Sequence, residues 1–228
     1  MNGEKRRIVV LASGTRTGGG SGFEWLVEGT RMGVIPNAEV VAVVSNQLDG
    51  GVARKAARLE IPFRFIGRAS SAVSYERIAE EYSPDLTCLS GWLLPVCNPD
   101  PAKVINIHPG PLPEFGGTGK YGHYVHEAVM AAYHRSEITE TEVTMHFVTE
   151  GYDEGPVFFQ YPVAIRPDDT PETLGARVNE VEHAWQAYIT GLVLDEKIWY
   201  NALNGNVVVQ PETFRVLHQF FPEAVVVV

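Results

Sequence analysis

The sequence is short of cysteine, of long apolar runs and of positive charge. It has two cysteines in 228 residues; Cys88 lies in an apolar run and Cys97 in a loop-like stretch, and the pair offers neither a metal-ligand spacing nor a disulfide framework. No uninterrupted apolar stretch approaches bilayer length, and the charged amino terminus, residues 1–7, is not followed by a secretory core. A cytoplasmic chain with no membrane partner is expected. The formal net charge of -10 excludes the broad cationic surface that a nucleic-acid backbone requires, although a few local donors could still hold a small anion. The dinucleotide GxGxxG and Walker patterns are missing, as are internal repeats and low-complexity linkers. With 45% hydrophobic and 20% charged residues, the chain is expected to form one main core, with at most a small appendage.

What is present alternates. A β-branched run over residues 6–12 is followed by Ser13-Gly14-Thr15-Arg16-Thr17-Gly18-Gly19-Gly20-Ser21-Gly22 and then by a helix start over 23–28. Strand, glycine loop and helix together aim backbone N–H groups at an anion, so a phosphate cradle is expected. Residues 38–45, 61–66, 86–90 and 104–108 read as further strands, and 51–59, 75–82 and 124–133 as helices; units of this size imply a parallel sheet with right-handed crossovers. Residues 142–149 and 157–165 read as two strands bracketing a loop with Asp153 at its tip. A long helix over 170–194 opens on a capping pattern at Thr170 and Thr173. After it, residues 197–210 read as a hairpin around Asn204-Gly205, and 214–228 as a strand or plug packed on the core.

The stretch Val104-Ile105-Asn106-Ile107-His108-Pro109-Gly110-Pro111-Leu112-Pro113 carries the clearest chemical signal. Asn106 and His108, two apart on a strand, fall on one face, and the chain breaks at Pro109 and Gly110. In an open α/β sheet, ligands bind beyond that strand end. An Asn, a His and an Asp brought together suit acyl transfer between nitrogens: donors for a tetrahedral oxyanion, and a proton relay from the attacking to the leaving amine. A nearby Asp raises the pKa of a His, so an imidazolium is expected.

Ile105-Asn106-Ile107-His108-Pro109 with Leu112-Pro113, then Val143-Thr144-Met145-His146-Phe147-Val148 and Tyr152-Asp153-Glu154-Gly155-Pro156-Val157, closely resemble the folate-dependent formyltransferases. Ser13-Gly14-Thr15, Val44-Ser45-Asn46 and Ala176-Arg177-Val178 through Glu182-His183 fit the same pattern, so the resemblance covers residues 6–195. It implies a Rossmann-like α/β formyltransferase fold, a mostly parallel twisted sheet flanked by helices with an antiparallel carboxyl-terminal part. The expected organisation is a catalytic domain over 1–196 with a hairpin and apolar tail, 197–228, packed on it. The implied reaction moves a formyl group from 10-formyltetrahydrofolate, a co-substrate, to the amine of glycinamide ribonucleotide, with no metal. Asn106, His108 and Asp153 match the family's catalytic trio. Gly20, Ser21, Gly22, Pro109, Asn179 and Glu182 fall where the phosphorylated acceptor is held. Leu93, Leu94, Pro95, Val96, Val148, Thr149, Glu150, Gly151 and Tyr152 would enclose the pterin, and Arg68 would meet the folate's glutamate tail. Small-molecule substrates are the partners expected, and a homodimer is left open.

Departures from the family cluster around the same crevice. The first loop is several residues longer, Gly22 replaces an Asn, Leu94 replaces an Arg, and Pro111 with the loop 115–124 replaces a tighter segment, with Lys120 read as a solvated lysine or a replacement cation. Another amine acceptor such as an amino sugar nucleotide, hydrolysis of the folate, and a non-catalytic folate or phosphate binding module are the alternatives. A tRNA-directed enzyme would need a basic carboxyl-terminal domain that neither length nor charge leaves room for. His123 and His126 are read as loop and helix surface rather than metal ligands. Thr144 and His146 share a face that is either structural or substrate-contacting. Trp25, Trp92, Trp185 and Trp199 are read as packing residues, with Trp92 near the pocket.

Overall fold

The computed structural model describes residues 4–67 and 72–226. Strand β1 (Arg6–Leu11) leads through the glycine loop into α1 (Ser21–Arg31), followed by β2 (Ala38–Ser45), α2 (Gly51–Leu59) and β3 (Phe63–Phe65). Next come the short β4 (Val73–Ser74), α3 (Tyr75–Tyr82), β5 (Leu86–Ser90), the short β6 (Val96–Cys97), β7 (Val104–His108) and α4 (His123–His134). The chain continues with β8 (Glu140–Phe147), β9 (Val157–Ala164), the long α5 (Pro171–Leu194), β10 (Ile198–Asn201), β11 (Asn206–Val209) and α6 (Pro211–Phe220). No helix among the described residues is long and apolar enough to cross a membrane.

Among the described residues, seven strands form one sheet in the order β3-β2-β1-β5-β7-β8-β9. The pairs from β3 to β7 are parallel, and β7–β8 and β8–β9 are antiparallel. Because alternate side chains of a strand face opposite ways, β1 feeds two cores: Ile8 and Val10 join Phe23, Leu26, Val125 and Leu174 on one face, while Val9 and Leu11 join Tyr75, Ile78 and Trp92 on the other. Burial on both faces explains why Ile8, Val9, Val10 and Leu11 are apolar in succession rather than alternating with polar residues. The chain runs outward from β1 to β3 and then returns to β5, so the strand order reverses between β1 and β5, and a crevice opens beyond their carboxyl ends.

Helix α5 starts on a reciprocal cap, Thr173 N–H to Thr170 Oγ1 and Thr170 N–H to Thr173 Oγ1, with Pro171 in the first turn; such a cap contributes about 1 kcal/mol. Asp169 reinforces it by accepting two bonds from the Arg177 guanidinium, 2.6 and 2.8 Å. The carboxyl-terminal stretch corrects the expectation of a strand, for it is helical as far as Phe220, and Leu217, Ala224 and Val226 pack into the core. Pro211, which fixes a helical φ at a first-turn position, opens a helix, and only after α6 does the chain extend, with Val225 forming an antiparallel bridge to Gln160 of β9 and Ala224 and Val226 buried. Trp185 packs among Phe159, Tyr161 and Phe221 as expected, whereas Trp25 is half-exposed and stacks on His183, and Trp199 is also exposed.

His126 corrects a second expectation, for it is buried rather than on the helix surface. Its ring lies against Gly175, where a Cβ would come within 2.7 Å of it, so α4 and α5 close together over an imidazole whose Nδ1 has no partner among the described residues. Burial, with His123 and His108 nearby, pushes its pKa from 6.5 down to about 4. The unfolded chain therefore binds a proton there before the folded one does. The resulting stabilisation is full above pH 6.5 and is lost as the pH falls toward 4, by up to roughly 3 kcal/mol. Urea denaturation of His126→Gln should show a shallower acid loss than the parent chain over that window; parallel pH profiles would refute the assignment. Gly155 is fixed by a different contact, since a Cβ there would lie 1.7 Å from the Phe147 carbonyl oxygen. Gly155→Ala should cost at least about 2 kcal/mol in the same assay, and a midpoint within error of the parent would count against this packing.

Candidate active site

The junction between the parallel and antiparallel halves of the sheet places the chemistry. β7 pairs with β8 so that Asn106 stands opposite His146 and His108 opposite Thr144. The turn between β8 and β9 carries Asp153 back over the end of β7, in a left-handed conformation with φ 58°. Asp153 Oδ1 accepts from Asn106 Nδ2 at 3.4 Å and lies 3.6 Å from His146 Nε2; Oδ2 accepts from the Gly117 N–H at 3.0 Å and lies 3.7 Å from His108 Nδ1. The sequence-predicted trio is thus assembled, with His146 as a fourth member.

Carbonyl oxygens fix the tautomers. The Phe115 carbonyl accepts from His108 Nε2 at 3.0 Å, so in the neutral ring the lone pair is on Nδ1, beside Asp153. The Phe147 carbonyl accepts from His146 Nδ1 at 2.9 Å, which leaves Nε2 to accept from the Asn106 amide at 3.0 Å. Both amide hydrogens of Asn106 are therefore engaged, one in a short bond and one in a long one. Burial pushes the His108 pKa down and outweighs the upward pull of Asp153 and of the Phe115 carbonyl. The expected imidazolium is thus corrected: at 4% exposure the desolvation of the charged ring prevails, and His108 is a neutral base. Burial also pushes the Asp153 carboxyl up, but attraction to the His146 and His108 rings when they carry a proton, together with the Gly117 N–H, holds it below the usual carboxylate range.

Two clefts meet at this group. The larger, about 610 Å³, is lined by the glycine loop, by Pro109 beyond β7 and by the α5 face that carries Asn179, Glu182, His183 and Gln186. The smaller, about 50 Å³, is lined by Leu94, Pro95, Val96, Val148, Thr149, Glu150 and Gly151. Trp92, Asn106, Tyr152 and Asp153 line both. Tyr152 also donates its hydroxyl to the Leu93 carbonyl at 2.7 Å, tying the two walls together. Leu93, expected with the pterin-enclosing residues, lines the larger cleft instead. Arg68 lies outside the described residues.

The glycine loop is folded on itself and on α2. Thr15 N–H donates to the Gly18 carbonyl and Gly51 N–H to the Thr15 carbonyl, at 2.9 and 3.0 Å. A Cβ on Gly19 would lie 2.4 Å from Gly14 Cα, and one on Gly51 would lie 2.3 Å from the Gly18 carbonyl oxygen. Gly20, Ser21 and Gly22 all line the cleft, and α1 begins there with no side-chain cap, so its first N–H groups are left for an incoming anion. Across the cleft, Asn179 donates to Glu182 at 3.0 Å, and burial pushes the Glu182 carboxyl up to about 7. Lys120 lines the cleft while donating Nζ to the Glu114 carbonyl at 2.7 Å. Thr144 is structural, donating to the Gly110 carbonyl at 2.9 Å. His146, Gly117, Ser90 and Gln186 are site residues that sequence reasoning left unassigned. Of these, His146 had a usable signal, the antiparallel register that sets it opposite Asn106.

Comparison with known proteins follows the same lines. The formyl transferase family pattern matches residues 6–192. The chain is 35% identical over 205 residues to the chloroplastic phosphoribosylglycinamide formyltransferase of Arabidopsis thaliana, covering 85% of this chain and 67% of that protein. It is 36% identical over 189 residues to the trifunctional purine biosynthetic protein adenosine-3 of Gallus gallus, covering 78% of this chain but 17% of that much longer protein. The crystal structure of glycinamide ribonucleotide transformylase 1 from Symbiobacterium toebii superposes with a TM-score of 0.75 at 28% identity, covering 91% of this chain and 95% of the other. With its sheet order, its Asn-His-Asp group and more than three quarters of its length accounted for in this way, the chain belongs to the formyl transferase family.

Proposed function

We propose that the protein transfers a formyl group from 10-formyltetrahydrofolate to the amine of glycinamide ribonucleotide. The observation that carries this reading is the pair of unlike clefts that share Asn106 and Asp153 at their boundary. The larger has an anion-receptive helix start at one end and hydrogen-bonding residues of α5 along its side, which suits a phosphorylated sugar amine. The smaller is walled by apolar side chains and strand-end backbone, which suits the edge of a pterin. At about 50 Å³ it has room for the edge of that bicyclic ring only.

In the reaction, the acceptor nitrogen's lone pair forms a bond to the formyl carbon and the carbonyl π pair moves onto oxygen. Asn106 exchanges its long bond to Asp153 for one to this oxyanion, because a 3.4 Å contact is weaker than a charge-assisted bond at normal length. His108 Nδ1, neutral and with its lone pair available, takes the amine's proton, directly or through a water. The imidazolium so formed sits against Asp153 and the oxyanion, and both stabilise it. The proton then passes to the folate nitrogen as the bond from the formyl carbon to that nitrogen breaks, giving the formylated amine and tetrahydrofolate.

Asp153→Asn keeps the shape of the side chain and removes the charge that stabilises the imidazolium. Its kcat should fall by about a hundred- to a thousandfold, measured by the absorbance of the folate product with glycinamide ribonucleotide as acceptor. Folate consumption that runs equally fast in an acceptor-free control would replace this reading with that of a hydrolase.

A further inference from the structure

Gly22 is the second residue of α1, and the direction its side chain would take is already filled. A Cβ there would lie 2.1 Å from Ser90 Oγ and 2.6 Å from Gln186 Oε1. Ser90 ends β5 and Gln186 lies in the second half of α5; they are 7% and 2% exposed, yet both line the larger cleft. Ser90 donates its hydroxyl to Gln186 Oε1 at 3.3 Å. This bond sets the orientation of the carboxamide, with oxygen toward β5 and nitrogen away from it. Among the described residues nothing partners Gln186 Nε2. A carboxamide this deeply buried ordinarily uses its donors, and an apolar side chain would fill the same volume at less cost in desolvation.

We infer that Gln186, positioned by Ser90, is a specificity-determining residue for the acceptor. Its Nε2 donates a hydrogen bond to an oxygen of the phosphorylated sugar, beside the uncapped start of α1. Gly22 is the third part of the device, since any side chain there would displace the pair. The inference rests on the reading of the larger cleft as the acceptor's. It adds that the polar contact at this position comes from β5 and α5 rather than from the helix start itself.

The test measures acceptor and folate dependence separately, together with acceptor binding by calorimetry without folate and the melting temperature of each variant. Gln186→Met keeps length and volume and removes the donor. The acceptor KM and Kd should rise about tenfold, as expected for one hydrogen bond to a charged or polar ligand group, with kcat and the folate KM within about twofold. Gln186→Glu keeps the shape and sets a carboxylate beside the phosphate, so acceptor binding should weaken further, and more strongly at low salt. Ser90→Ala frees the carboxamide and should raise the acceptor KM by a few fold while leaving the folate KM in place. An unchanged acceptor KM in Gln186→Met, or a rise in both KM values that tracks a lowered melting temperature, would make Gln186 a packing residue and overturn the inference. If the parent chain binds the ribonucleotide but transfers no formyl group, the functional reading fails while a selective loss of binding in Gln186→Met still supports this one. Failure of the parent chain to bind the ribonucleotide overturns both.

Discussion

One buried carboxylate ties together the parts of the molecule that would otherwise be independent. Asp153 can stay charged only if other groups replace the water it has lost, and these come from separate places: the Asn106 amide on β7 and the Gly117 N–H in the loop before α4 donate to it, while His108 on β7 and His146 on β8 stand close enough to pair with it once either ring takes up a proton. The turn between β8 and β9 therefore docks in one position, and the glycine-rich loop is drawn down beside it. Close approach at Gly155 and the left-handed backbone at Asp153 belong to the same constraint. Backbone geometry at the tip is dictated by where the charge must sit.

The antiparallel turn of the sheet at β7 gives this arrangement its chemistry. In a wholly parallel sheet the strand after α4 would run in the same direction as β7; here β8 runs antiparallel beside it and presents a second imidazole directly opposite the carboxamide. One histidine orients Asn106, and the other remains an unprotonated base because it is buried more effectively than it is paired. The two rings are chemically alike, and the carbonyl that each one faces separates their roles. Phe115 and Phe147 thus matter through their backbone oxygens as well as their side chains.

Much of this was legible in the sequence, for identifiable reasons. Strands such as 6–11 and 104–108 are built around β-branched residues and are followed by glycine or proline breaks, and the helix cap at Thr170 is a local signal, so these elements lie close to where pattern alone puts them. Asn106 and His108 are two apart, which any strand converts into proximity. What could not be read depends on residues distant in sequence. The burial of His126 requires Gly175 to meet it from another helix, and the protonation of His108 depends on a balance between desolvation and pairing that composition does not contain. Gly22 reads as a lost contact until Ser90 and Gln186 are seen in the space beside it. The carboxyl-terminal tail read as strand because its valines dominate the pattern, whereas Pro211 sets the helix ahead of them.

The interlocked glycines of the first loop have a thermodynamic consequence. A segment this long and glycine-rich would ordinarily lose much conformational freedom when a ligand ordered it, and affinity would suffer accordingly. Here Gly14 and Gly19 touch each other and Gly51 abuts Gly18, contacts that any methyl group would prevent. The ordering is thus completed during folding, and an anion meets donors that are already aimed. Its binding should carry the signature of charge and desolvation, with a small entropic term from the chain, and its arrival rate should be set by diffusion into the cleft rather than by loop closure.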